Sequence, residues 1–131
     1  MKRRSSCPIS FALDIFGDRW TLLVVRDLAL KGRHSFAELL DAGEGIATNV
    51  LSDRLSRLQK QELVKRERDP DDGRRYHYGL TDKGKDLLPV LVELIAWSAK
   101  HDPLTAAPAS FVQEVNDDRA ALLQRLREEI D

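Results

Sequence analysis

The chain has 131 residues, 42% hydrophobic and 33% charged, with a formal net charge of −1. That composition fits one soluble domain, large enough to bury about two thirds of its unfolded surface. Apolar runs such as Leu22 to Val25 fall far short of the ~20 residues that a membrane span requires, so no membrane partner is expected. The lone cysteine excludes an intramolecular disulfide, and Asp14 interrupts the apolar stretch behind the basic head MKRRSS. No secretory signal is therefore expected, and the cytoplasm is the expected compartment.

The near-neutral average conceals an asymmetry. Residues 1–85 hold 17 Lys/Arg against 13 Asp/Glu, a balance of +4, whereas residues 86–131 hold 4 against 9, a balance of −5. An anion-binding surface on the basic part is one reading, with a different task for the acidic tail; a chance swing in so charged a chain is the other.

In chain order the signals are mostly helical. Cys7 and Pro8 read as an N-cap and a first helical position, with Ile9, Leu13 and Phe16 at helical spacing up to Gly17. A second helix is predicted from about Asp18 to Leu30, with Trp20, Leu23, Val24 and Leu28 on its buried stripe. Ser35-Phe36-Ala37-Glu38 matches the capping box and starts a short helix, and Asp41 to Gly45 must turn.

From Ile46 to about Gln61 the pattern becomes more specific. At 100° per residue, Ile46, Val50, Leu51, Leu55 and Leu58 share one side, and Thr48, Asn49, Ser52, Ser56, Gln59 and Lys60 the other. Thr, Asn and Ser are poor choices for an ordinary solvated helix face. They suit a helix that enters the DNA major groove and reads base edges, with Arg57 and Lys60 near its end for phosphates. Arg54 projects toward the apolar side and is read as a structural ion-pair partner, with Glu38 as the expected carboxylate. A polar face without a ligand is the competing reading.

Next, Leu63 to Arg68 and Arg75 to Leu80 read as two short strands, with Tyr76, Tyr78 and Leu80 pointing one way. Asp69-Pro70-Asp71-Asp72-Gly73 between them is strong turn chemistry. Lys65, Arg66, Arg68, Arg74 and Arg75 flank this turn, while Asp69, Asp71 and Asp72 occupy its tip, so the tip should stay out of a groove. Three helices, the last polar-faced, followed by a basic hairpin predict a winged helix-turn-helix: mainly α with a small β-hairpin wing. Arg68, Arg74, Arg75 and His77 are its candidate wing contacts to double-stranded DNA.

The residues also carry a family resemblance. "CP" at 7–8, "LDIFGDRW" at 13–20, "SFAELL" at 35–40, "IATNVLSDRLSRLQ" at 46–59, "YGLTDKG" at 78–84 and Trp97 follow, in order and spacing, the pattern of the HxlR family. The chain resembles that family over roughly Cys7 to Trp97. The resemblance implies a bacterial or archaeal winged-helix transcription factor that binds DNA as a homodimer, repressing or activating neighbouring genes. The chain departs from the pattern at Ser35, where Arg is frequent, at Ala47, where a capping Ser is common, at Asn49, where a basic residue is common, and at Glu62, where Gly is usual.

Beyond the wing, Thr81 is the expected N-cap of a long helix from about Asp82 to Ala99, kinked at Pro89. Residues 1–100 thus form the DNA-binding domain, residues 101–109 a linker, and residues 110–131 a C-terminal helix. That helix opens on a second capping box, Ser110 to Gln113, and carries Val115, Leu122, Leu126 and Ile130 as a stripe. The stripe could fold back on its own core; packing on a second subunit is favoured, which would present two recognition helices to half-sites about 34 Å apart or a small multiple of that turn.

Cys7 is a candidate redox sensor. A thiol at a helix N-terminus near Lys2, Arg3 and Arg4 has its thiolate favoured, and in the HxlR family the matching cysteine of some members senses electrophiles or oxidants. A small N-capping residue without chemistry is the other reading. His34, His77 and His101 are too scattered for a zinc site, and no Gly-rich phosphate loop is present, so neither an enzyme nor a cofactor or metal is expected. The alternative function is a winged helix used only as a protein-binding module, against which the polar outer face counts.

Overall fold

A computed structural model describes residues 4–130. Lys2 and Arg3, invoked beside Cys7, lie outside the described residues, as does Asp131. Helix α1 (Pro8–Phe16) begins at Cys7, whose extended backbone (φ −64°, ψ 127°) is what a following proline imposes. None of its residues is buried. Helix α2 (Thr21–Leu30) starts three residues later than predicted, after a turn at residues 18–20 that the Asp18 carboxylate holds. The Asp18 carboxylate accepts from the amides of Trp20 (3.0 Å) and Thr21 (3.1 Å) and from the Thr21 hydroxyl (2.5 Å). α2 packs on α4, α6 and β2, so its buried arc is wider than one stripe: Val25 is fully buried, whereas Trp20 and Leu23 are half-buried.

Helix α3 (Phe36–Leu40) has the predicted capping box: the Glu38 amide donates to the Ser35 hydroxyl (3.1 Å), and the Ser35 amide donates to the Glu38 carboxylate (3.0 Å). A turn follows with Gly43 and Gly45 at φ 88° and 74°, the left-handed region where glycine carries no steric penalty. Helix α4 (Thr48–Lys60) ends in a Schellman motif, in which the Glu62 amide donates to the Gln59 carbonyl (3.0 Å) and the Leu63 amide to the Leu58 carbonyl (2.9 Å). That motif places Glu62 at φ 61°, which explains why the family resemblance leads one to expect glycine there.

Strands β1 (Val64–Arg68) and β2 (Tyr76–Leu80) pair antiparallel, Val64 opposite Leu80 and Arg68 opposite Tyr76. The core gathers beneath this hairpin from α2, α4 and α6; Val25, Leu51 and Val92 have 0% exposure.

The second half departs from expectation in three places. The long helix from 82 to 99 is two helices, α5 (Asp82–Lys85) and α6 (Leu88–His101). Pro89 occupies the first turn of α6, where its missing N–H needs no partner, so it starts a helix instead of kinking one. The terminal helix is likewise two, α7 (Ala109–Asp117) and α8 (Arg119–Glu129), split at Asp118 (φ −154°, ψ 84°), whose side chain accepts from the Ala121 amide at 3.1 Å. Asp118 competes with the helix by capping the next one. Pro108 is the cap position of α7, so Ser110 lies inside the helix and makes no capping box. Finally, Val115, Leu122, Leu126 and Ile130 are buried within their own chain, where α7 and α8 pack on α6. No helix among the described residues is long and apolar enough to cross a membrane.

Candidate nucleic-acid interface

α4 is held from behind by Leu51, Leu55 and Leu58, which are buried. Opposite them Thr48, Asn49, Ser52, Ser56, Arg57 and Lys60 are all exposed. The first turn of α4 has no side-chain cap, since Ala47 occupies that position. Its amides are therefore open to an anion such as a phosphate.

Two residues on α4 differ from the sequence reading. Arg54 does not pair with Glu38, whose carboxylate is taken by the Ser35 and His34 amides. Its Nε donates instead to Asp18 at 2.8 Å, and its Nη1 to Asp53 at 2.5 Å. Asp53 itself is exposed on the outward side and was missed; it also pairs with Arg57 at 3.0 Å. The signal for it was local, an Asp four residues before an Arg on one helix. The outward face therefore carries a carboxylate among its hydroxyls, and Arg57 is already tethered.

The wing arginines separate into two groups. Arg66 and Arg68 lie over the Tyr76 ring, 4.0 and 5.2 Å from its centroid, and Arg68 also donates to the Gly73 carbonyl. Arg74 and Arg75 have side chains 92% and 74% exposed and, among the described residues, pair with Asp72, at 3.2 and 3.6 Å. The acidic tip is occupied internally: Asp69 accepts from the Asp71 amide (2.8 Å) and Asp72 from the Arg74 amide (3.0 Å).

His77 is engaged in a way the sequence did not suggest. Its ring stacks on His34 at 4.6 Å and 17°. The Tyr78 amide donates to the His34 carbonyl (2.7 Å), and His34 Nδ1 lies 2.9 Å from the Tyr78 carbonyl, which places the proton on Nδ1. The segment before α3 is thus bolted to β2, fixing the wing relative to the helices.

Asp18 ties the whole arrangement together, holding the turn that leads into α2 and, through Arg54, α4. Burial pushes its carboxyl up, but the Thr21 hydroxyl, Arg54 and the amides of Trp20 and Thr21 outweigh that and bring it down to about 2. A lowered carboxyl stabilises the fold above its ordinary value of 3.8, and that contribution is lost as pH falls through about 2. Asp18→Asn should keep an acceptor for the Trp20 and Thr21 amides, lose the ion pair and destabilise by about 1 kcal/mol, after allowing for partial exposure. Melts of both proteins across pH check this: the gap should be full above 3.8 and close towards 2, whereas a pH-independent gap would contradict it.

Cys7 is exposed at the start of α1 without a side-chain capping bond. Among the described residues no group of three or more His, Cys, Asp or Glu is placed to hold a metal ion.

Comparison with known proteins fits this geometry. A model of the HxlR-like helix-turn-helix matches residues 15–105. The chain belongs to the HxlR-like family. It is similar to the uncharacterized HTH-type transcriptional regulator YvaP of Bacillus subtilis (strain 168), 39% identical over 101 residues that cover 76% of this chain and 93% of YvaP. Among solved structures it resembles PA1607, a candidate transcription factor (TM-score 0.72, 33% identity, 81% of this chain and 74% of that one). It also resembles the reduced form of the transcriptional regulator YodB from B. subtilis (TM-score 0.61, 30% identity, 76% and 97%), a protein solved in quinone-bound and diamide-treated forms too. The HxlR-like chain is thus a DNA-binding transcription regulator with a winged helix-turn-helix, in a family of regulators and not of enzymes.

Proposed function

We propose that this HxlR-like chain acts as a homodimer on a palindromic operator, with the outward face of α4 reading bases in the major groove and the wing resting on the backbone. The observation that carries this is the division of α4 into a buried leucine row and an exposed row of short hydrogen-bonding side chains. An asparagine such as Asn49 suits adenine, Ser52 and Ser56 are adaptable, and Lys60, Arg74 and Arg75 are the proposed phosphate contacts. The test is an anisotropy titration against the chain's own upstream intergenic duplex and a scrambled one, at two salt concentrations. Preference for the native duplex, with log affinity falling linearly with log salt, is the expected result. No binding even at low salt would overturn it and favour the protein-binding alternative.

The dimer surface we assign to α1 and α6 in place of the C-terminal stripe. Ile9, Leu13, Leu94 and Trp97 are 70%, 57%, 48% and 67% exposed, an apolar set that a second copy would cover. Sedimentation should show a dimer that Trp97→Glu converts largely to monomer while leaving helix content unchanged; a monomeric wild type, or a variant dimer as tight as wild type, would contradict this.

Cys7, exposed in the described chain, is assigned as the thiol through which an electrophile alters operator binding, in line with the quinone-bound form of the related YodB. Diamide or a quinone should change the DNA affinity of the wild type and leave Cys7→Ser unaffected; an equal response of both would end the idea.

A further inference from the structure

A cavity of about 640 Å³ opens between α2, α6, the segment after α6 and the two terminal helices. Its size lies within the range of small-molecule sites. Leu23 of α2, Leu91 and Ile95 of α6, Phe111 of α7 and Leu126 of α8 give it apolar walls. Three cations also line it, Arg26, Lys31 and Arg125, and no lining residue is acidic. Arg26 and Lys31 come from the basic first part of the chain, whereas Arg125 comes from residues 86–131, which carry 9 Asp/Glu against 4 Lys/Arg. Arg26 is held by Asp27 (2.9 Å) and Glu44 (3.2 Å), and Arg125 by Glu114 (2.7 Å), whereas no described carboxylate pairs with Lys31. Ser98 and Thr105 add hydroxyls to the lining.

We propose that this cavity binds a small amphipathic organic anion, with its hydrocarbon body between Leu23, Ile95 and Phe111 and its carboxylate turned to Lys31. The apolar walls favour burial of a hydrocarbon, and one unpaired cation among three selects the charge of the polar end. The family match ends at residue 105, so the wall formed by Phe111, Arg125 and Leu126 lies outside the matched region. α2 both lines the cavity and packs on α4, so an occupant touches the helix that supports the DNA-facing one. Leu94 stands at the cavity as well as on the proposed dimer face, which makes a second copy of the chain the competing occupant.

The test needs no DNA and is independent of the operator reading. Anilinonaphthalene sulfonate is titrated into the full chain by fluorescence, then displaced with tert-butylbenzoate or with tert-butylbenzamide. One probe per chain is expected, displaced by the acid at a concentration at least tenfold lower than by the amide. Leu23→Trp, which fills the cavity, and Lys31→Glu, an exposed change that leaves the core alone, should each weaken probe binding at least tenfold. Equal displacement by acid and amide would overturn the proposal, as would probe affinity unchanged in Lys31→Glu. A change in oligomeric state in place of probe affinity in Leu23→Trp would assign the cavity to a second copy instead.

Discussion

Ser52→Glu should lower operator affinity by more than a hundredfold while leaving the fold intact. Ser52 is exposed on the outward side of α4, between Asn49 and Ser56, and shares that side with the carboxylate of Asp53. A second carboxylate there would remove the proposed base contact, at about 1–3 kcal/mol. It also sets like charges against phosphate, at a penalty of several kcal/mol. Stability should hold, because glutamate is a better helix former than serine and the position is exposed. Ser52→Ala, which removes the contact without adding charge, should lose tenfold or less. Anisotropy with both variants, alongside thermal melts, separates the two effects; undiminished affinity in a folded Ser52→Glu protein would remove α4 from the interface.

Gly84→Ala should produce the largest loss of stability among single-methyl changes. A Cβ at Gly84 would lie 2.1 Å from the Leu63 carbonyl oxygen and 3.1 Å from the Leu63 carbonyl carbon and Leu80 Cδ2. The closest atom is backbone, and that oxygen already accepts from the Thr81 amide at 3.1 Å, so no rotamer change relieves the contact. α5 must lift off the strand or β1 must shift, which takes the wing with it. Overpacking of this kind destabilises by about 3 kcal/mol. The midpoint of thermal unfolding should fall by roughly 10 °C in a chain of this size. A midpoint within a degree or two of wild type would show that α5 moves freely and does not fix the wing.

Gly84 also illustrates what a sequence does and does not reveal. Read along the chain, it is a gap in a capping box after Thr81; its reason is the approach of a strand some twenty residues earlier, which no local pattern encodes. The elements that were legible are those whose chemistry is local. The Ser35–Glu38 box, the hairpin around Pro70 and Gly73 and the leucine row of α4 each depend on residues a few positions apart. Arg54 was recognised as structural, yet its partner Asp18 lies 36 positions away and became identifiable only once α2 met α4. Pro89 fits both a kink and a helix start, and the choice turns on the backbone at Asp86 and Leu87. The terminal stripe was visible as apolar, but periodicity cannot say whether the surface covering it belongs to the same chain. At the interface, the exposed row of α4 was legible because Ser, Thr and Asn are unusual there, while the stacking of His34 on His77 and the tethering of Arg57 by Asp53 required the fold.

Dimethyl sulfate probing of the bound upstream duplex tests the central claim most directly, because the reagent methylates guanine N7 in the major groove and adenine N3 in the minor groove. Two clusters of protected guanines about 34 Å apart, or a small multiple of one helical turn, are expected, and both should vanish with Ser52→Glu. Full methylation at guanine N7 across a demonstrably bound duplex would mean that α4 does not occupy the major groove, and would contradict the account.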